Sequence, residues 1–325
     1  MRIAEEIRRP CAPDLFYRNK TIPSCAPRSQ RCTLAFVYGD EIPRISVIVP
    51  AFNAEPWLEL CLRALERQKF LRRHEIIVVD NNSSDRSAEI ATGHKDVTLL
   101  REKRQSSYAA RNRGASAARA PILAFLDADC APDPNWLLTI DEAMQDPRVD
   151  VVIGSREFGR DCRSLRLIAD YENCRDRRVF SGRRFDTYYG YAGNMAVRTA
   201  AFRQHGPFLT VARGGDSLFV QKVVSPNECG AVIWREDMLV RLLNVRSFRT
   251  YAHKMFVYAS ARQSTQGFQA PRSLTFRDRL AAYHTVAAMY PLREKCFLGG
   301  FLAAGYMAWM LGRWYNKSLA AMHLA

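Results

Sequence analysis

The chain has 325 residues, 48% of them apolar and 25% charged, the composition of a folded soluble protein with one large core and room for appendages. Its nine cysteines run from Cys11 to Cys296 with no C-x-x-C pair, which argues against a zinc site and a disulfide framework and for reduced thiols in the cytosol. The net charge is +15, and residues 241–325 hold 12 Lys and Arg against two acids (Asp278, Glu294), so +10 of the excess lies in the last quarter and suggests an anionic partner there.

Residues 1–43 are rich in Pro, Arg and Cys and read as an appendage. They contain no apolar h-region, so no secretory signal is expected. From Ile45 the pattern becomes regular. ISVIVP is a buried strand ended by Pro50, and Asn53 is expected to cap the following helix, with Pro56 in its first turn. Glu75–Asp80 is a second apolar strand, followed by the turn-rich NNSSD and a helical segment to about Ala91. Val97–Leu100 is a short third strand. Tyr108–Ala118 is helical and leads to a fourth strand at Ile122. Strand and helix alternate four times, which predicts an α/β fold with a mostly parallel sheet flanked by helices.

That fourth strand breaks into Asp127-Ala128-Asp129. Two carboxylates two residues apart at a strand end point the same way. Such like charges repel unless a cation lies between them. Hard oxygen ligands suit Mg²⁺ or Mn²⁺. On the tripeptide alone, two solvated aspartates read equally well. Ligands of open parallel sheets bind beyond the carboxyl ends of the strands, and those ends hold Asn53, Asp80 and the Asp127/Asp129 pair. The turn after the first strand, PAFNAE, lacks the glycine fingerprint of dinucleotide-binding folds.

The second half is less regular. Val151–Gly154 reads as a strand and Leu165–Phe180 as a polar helix or mobile segment. Tyr188–Val197 is a glycine-broken strand, and Thr199–His205 a short helix. Arg213-Gly214-Gly215-Asp216-Ser217 is a glycine-rich turn that lets the backbone approach a ligand closely and places an acid at a helix start, where plain capping by Asp216 is the alternative. Beyond Ser247 the chain is helical and basic. Cys296–Gly312 is uncharged over 17 residues, about 25 Å of helix and short of a bilayer core. Core, interfacial and shallow membrane helices all fit, and the basic flanks with Trp309, Trp314 and Tyr315 tilt the reading toward membrane contact.

From Ile45 to Leu218 the chain resembles the family-2 glycosyltransferases of the GT-A (Rossmann-like) fold. The resemblance rests on SVIVPAFNA, VVDNNSSD, SYAARNRGASAA, FLDADCAP, AGNMAVRTAAF and GGDS, six motifs in order. It falls within a transferase domain expected at 44–245, and the helical, basic composition sets off 246–325 as a C-terminal extension. It implies that Pro50, Ala51 and Asn53 line the nucleotide, that Asp80 accepts from the base, and that Arg111 approaches the diphosphate. Asp127 and Asp129 become the DxD motif, with Asp129 the more direct metal ligand and Asp127 facing sugar and ribose. Gly193, Asn194 and Gly215 would sit beside donor sugar and acceptor, and Asp216 would be the catalytic base. The implied activity is inverting transfer of a single sugar from a nucleotide-diphosphate sugar to a saccharide or lipid-linked hydroxyl, with Mn²⁺ or Mg²⁺, at the cytoplasmic membrane face, in envelope polysaccharide or glycolipid synthesis.

Two departures stand out. Gly215 precedes Asp216 where the family often has Glu. Asp237–Leu243 (DMLVRLL) lacks the His that completes the metal shell in many members, and His253 lies downstream. The Q-x-x-R-W run of processive members is not found. Competing readings are a nucleotidyltransferase, which would need a basic phosphate-cradling loop where PAFNAE stands, and a non-catalytic basic membrane-binding protein on the same scaffold. No nucleic-acid module is recognisable.

Overall fold

The computed structural model describes residues 42–159, 162–182, 184–224, 229–260, 271–272 and 274–322. The expected appendage at 1–43 lies almost wholly outside them.

Four strands open the fold: β1 (Ile45–Ala51), β2 (His74–Asp80), β3 (Val97–Arg101) and β4 (Ile122–Leu126), joined by helices α1 (Glu55–Glu66), α2 (Ser87–Gly93) and α3 (Ser107–Ala117). They pair in parallel in the order β3-β2-β1-β4, as the alternating pattern predicts. The sheet then turns antiparallel. After β5 (Cys130–Pro132) and α4 (Trp136–Ala143) come β6 (Val151–Phe158), α5 (Arg163–Ser181), β7 (Asn194–Arg198), α6 (Thr199–His205), α7 (Gly215–Val223) and β8 (Val232–Leu242). The full order is β3-β2-β1-β4-β7-β6-β8-β5, with β7 antiparallel to both β4 and β6 and β5 antiparallel to β8.

β4 lies inside this sheet and β5 at its far edge, yet only Asp127, Ala128 and Asp129 separate them in the chain. The sheet must therefore curl until that edge returns to β4, and the acid pair is the bridge that closes the curl.

Layering follows from the two-residue period of β4. Ile122, Ala124 and Leu126 pack with α1 and α4, whereas Leu123 and Phe125 face Phe202, Phe208 and Phe219 on the other side. Helix α1 buries Leu58, Cys61, Leu62 and Leu65, one stripe at helical spacing. Its cap differs from the expectation. Ala54 is the N-cap and makes no side-chain cap; the amides of Ala54 and Glu55 are satisfied instead by Ser87 Oγ and Asp85 Oδ2 at 2.8 and 2.9 Å. Asn53 has other work, described below.

The glycine-broken strand expected at Tyr188–Val197 is strand only from Asn194; residues 188–193 form a loop that crosses the sheet end. Three helices follow: α8 (Phe248–Ser260), α9 (Phe276–Ala288) and α10 (Leu292–Met322). They belong with the sheet in one unit, Glu41–Ala325, because Leu167 and Tyr171 of α5 share a small core with Ala282, Val286 and Leu298. Among the described residues, no helix is long and apolar enough to cross a membrane.

Candidate active site

The carboxyl ends of β1, β2 and β4 lie side by side, with Ala51 in register with Asp80. Asn53 adopts φ 47°, a left-handed turn that asparagine tolerates. Its Oδ1 accepts from the amide of Ser84 at 2.9 Å and its amide donates to Ser83 Oγ at 3.1 Å, which ties the loop after β1 to the loop after β2. Asp80 is buried at the floor of this junction, where Oδ1 accepts from the amide of Ser83 at 3.2 Å. Asn81 fixes the third loop by donating to the carbonyls of Glu102 and Arg104 at 2.9 and 2.7 Å and accepting from Ser106 N at 2.9 Å. Pro50, Ala51, Asn53 and Asp80 are therefore brought together, as the sequence implies.

Arg111 reaches Asp127 from α3. The guanidinium is buried and its Nη2 donates to Asp127 Oδ1. Burial opposes its charge, but the facing Asp127, Tyr108 and Asp216 outweigh that and hold its pKa above the ordinary value. Nε of the same guanidinium is buried with no hydrogen-bond partner. Tyr108 lies one turn before Arg111, its ring 5.5 Å from the guanidinium carbon.

Asp216 stands in the first turn of α7, whose N-cap is Gly214 at φ 84°, so it does not play the capping role that its sequence position allows. Its Oδ1 accepts from Tyr108 Oη and Ser217 N, each at 2.9 Å, and its Oδ2 from Ala192 N at 3.0 Å. Burial and the Asp216 charge push the Tyr108 hydroxyl well up, so it stays a donor at neutral pH. Gly193 follows Ala192, and a Cβ there would lie 2.6 Å from Asp127 Oδ2. Gly215 packs as tightly, since a Cβ would meet Leu209 O at 2.5 Å.

Asn194 is a correction. Its side chain is fully buried, accepting from Trp136 Nε1 at 2.8 Å and donating to the carbonyls of Ser155 and Met238 at 2.8 and 2.7 Å. It ties α4, β6 and β8 together, and both polar atoms of the buried side chain are engaged there rather than turned to the sheet end.

On the far side of the acid pair, Asp129 is held by the segment after β8. Leu243 N donates to Asp129 O at 2.8 Å and Asn244 Nδ2 donates to Asp129 Oδ2. Burial, then the charge of Asp127, push the Asp129 carboxyl above its ordinary range, with Lys254 opposing. Cys61 and Cys130 lie against the pair, and burial raises both thiols, which keeps them protonated. Among the described residues no group of three or more His, Cys, Asp or Glu gathers around a common point. The donor chemistry still fits a hard divalent cation: the Asp127 and Asp129 carboxylates stand two residues apart, and beside Asp129 is Asn244 Oδ1, buried without a partner. An unpartnered buried oxygen costs about 1–3 kcal/mol.

Sequence reasoning missed Tyr108 and Asn244. Tyr108 stands inside the motif SYAARNRG, but only the fold shows that its hydroxyl meets Asp216. Asn244 follows a strand by two residues and carries no periodic signal.

A family model for glycosyl transferase family 2 matches residues 46–206, which contain the β1–β4 site and the Asp127–Gly193 contact. The chain belongs to glycosyl transferase family 2. It is 39% identical over 123 residues to the glycosyltransferase AglE of Haloferax volcanii, covering 36% of this chain and 40% of that protein. It is 30% identical over 131 residues to a chondroitin synthase of Escherichia coli, covering 37% and 19%. The chain thus matches two fifths or less of the length of these relatives. Among solved structures, a mannosyltransferase of Pyrobaculum calidifontis, PcManGT, solved in complex with GDP-Man and Mn²⁺, superposes with a TM-score of 0.55 at 21% identity over 87% of each chain. That likeness shows the GT-A fold.

Proposed function

We propose that this family-2 chain is an inverting, metal-assisted glycosyltransferase that moves a single sugar from a nucleotide-diphosphate sugar to a saccharide or lipid-linked hydroxyl. The observation that carries the reading is the contact of two consecutive residues: Ala192 holds Asp216 and Gly193 abuts Asp127. One short loop therefore touches both Asp216, the proposed proton acceptor, and Asp127, the first acid of the pair.

The roles follow from that placement. The β1–β2 junction (Pro50, Ala51, Asn53, Asp80) takes the nucleoside. Arg111, with a buried and unpartnered Nε, supplies a donor to the phosphate oxygens as the leaving diphosphate gains charge. Asp127 and Asp129 would hold Mn²⁺ or Mg²⁺, which when bound acts as a Lewis acid on the departing diphosphate. Asp216 keeps Oδ2 with one donor only, so that oxygen has room to accept the proton of an attacking hydroxyl. Attack from the Asp216 side, opposite the leaving group, inverts the anomeric centre.

The C-terminal helices support a second element of this proposal, docking on an anionic membrane at its cytoplasmic face, with envelope polysaccharide or glycolipid synthesis as the setting. Phe297, Tyr306, Met307, Met310, Leu311, Trp314 and Tyr315 of α10 are exposed, and Arg293 and Lys295 stand in the first turn of the same helix, beside Phe297. An apolar face with basic neighbours suits a helix lying on a lipid surface.

A panel of nucleotide sugars with released nucleoside diphosphate as readout, with and without Mn²⁺, tests the activity. Release that depends on Asp216 and Asp129 supports it; release of pyrophosphate from nucleoside triphosphates would favour a nucleotidyltransferase. Vesicle flotation tests docking: binding to phosphatidylglycerol but not phosphatidylcholine vesicles is expected, and equal recovery with DNA would contradict it.

A further inference from the structure

The acid pair is flanked by two buried polar atoms of opposite character, and neither has a hydrogen-bond partner. Beside Asp127 is a donor, Arg111 Nε; beside Asp129 is an acceptor, Asn244 Oδ1. Buried polar atoms are normally satisfied, so each such exception calls for an explanation, a bound ion or ligand among them. A donor wants an anion and an acceptor wants a cation or a hydrogen.

Asn244 is not a loosely placed side chain. Leu243 N is bonded to Asp129 O at 2.8 Å, and Val245 is buried in the main core, so the backbone on both sides of Asn244 is fixed. Nδ2 is committed to Asp129 Oδ2, which fixes the amide plane against the carboxylate and leaves Oδ1 facing no hydrogen. An amide carbonyl oxygen is a hard ligand of the kind that Mg²⁺ and Mn²⁺ accept alongside carboxylates.

We propose that Asn244 supplies a protein oxygen ligand to a divalent cation at Asp127 and Asp129, giving this chain an all-oxygen metal site. The inference rests on the metal-assisted reading of the acid pair. It adds a residue that no motif marks, and it adds a consequence for metal choice. A site built from carboxylates, an amide and phosphate oxygens has no nitrogen ligand to favour the later transition metals, so Mg²⁺ competes well with Mn²⁺.

The test measures metal binding without turnover. Free Mn²⁺ is followed by electron paramagnetic resonance during titration of the full chain, with GDP or UDP present, and Mg²⁺ is added as competitor. Asn244→Ala is expected to weaken Mn²⁺ by about tenfold or more, in the range that loss of a metal-supporting contact gives. Asn244→Asp, which keeps an oxygen at the same reach, should retain binding. Asn244→His should keep Mn²⁺ but lose competition by Mg²⁺. Circular dichroism melts identify any variant that fails to fold, and Asn244→Asp and Asn244→His then carry the decision. If Asp129→Asn abolishes binding while Asn244→Ala and Asn244→His match the wild type for both metals, this inference falls and the metal reading stands. If the wild type binds no Mn²⁺ with either nucleotide, the metal reading falls and takes this one with it.

Discussion

The hydroxyl of Tyr108 donates to Asp216 Oδ1 at 2.9 Å while it accepts from the amide of Gly214 at 3.1 Å, so one side chain of α3 fixes both the proposed base and the turn that presents it. With Ser217 N also on Oδ1, the carboxylate is oriented from one side and its Oδ2 edge is left to the acceptor. Tyr108→Phe removes one of three donors without emptying the ring's place. The expected result is a kcat lower by about tenfold with donor KM unchanged, against a loss of about two orders or more for Asp216→Asn, the scale of a general base. Steady-state release of nucleoside diphosphate decides it; full kcat in the phenylalanine variant would show that Asp216 needs no such orientation.

Gly193 provides a test by bulk alone. A Cβ at this position would lie 2.6 Å from Asp127 Oδ2, closer than real contacts, so Asp127 or the loop must move. Gly193→Ala should reduce transfer by about tenfold to a hundredfold, the cost of a misplacement near 1 Å, while melting stays close to wild type. Gly93, at the end of α2, has nothing within 4 Å of an added Cβ, and Gly93→Ala is the matched control expected to keep full activity. Equal activity in the two variants would contradict the placement of Asp127 in the donor site.

The first half of this fold was legible because the buried strands β2 and β4 carry apolar runs that stop at an acid of the sheet end. Ile122–Leu126 stopping at Asp127, and Ile76–Val79 stopping at Asp80, are read from the chain without reference to distant residues. The rest depends on long-range pairing. β5 is three residues long and exists because the curled sheet brings β8 to it, so no local period announces it. Asn53 carries the residue type of a helix cap, but the amides it would have satisfied are taken by Ser87 and Asp85 from the neighbouring loop. Asn194 lies in a motif whose position is right, yet the partners that consume its amide come from β6, β8 and α4. The same distance in sequence hid the Tyr108–Asp216 bond, which spans 108 positions.

Asn194 is expected to act on stability. Its amide satisfies Trp136 Nε1 and the carbonyls of Ser155 and Met238, and all four groups are buried. Asn194→Ala leaves three buried partners unpaired, at about 1–3 kcal/mol for each unsatisfied group. We expect at least about 3 kcal/mol in denaturant unfolding, whereas binding of a nucleotide sugar to the fraction that stays folded should be little changed. A variant of normal stability with weakened donor binding would return Asn194 to the sugar site.

His94 offers a pH test away from the site. Its ring nitrogens meet Glu66 Oε1 at 2.5 Å and Glu59 Oε2 at 3.1 Å, which joins the chain after α2 to α1. Burial alone would lower the imidazole's pKa, but the bonds to Glu66 and then Glu59 outweigh it and hold the group above its ordinary value. A folded pKa above the unfolded one means that the folded state binds the proton more tightly. The contribution is therefore fully present below the unfolded value of about 6.5 and is lost as pH rises through the folded value. Both glutamates are partly exposed, so the clamp is worth at most about 1 kcal/mol. The melting difference between wild type and His94→Ala should be largest near about pH 6 and shrink by about pH 9; a difference that grows over that interval would show that His94 is held in its neutral form, as a hydrogen-bond donor to one glutamate alone.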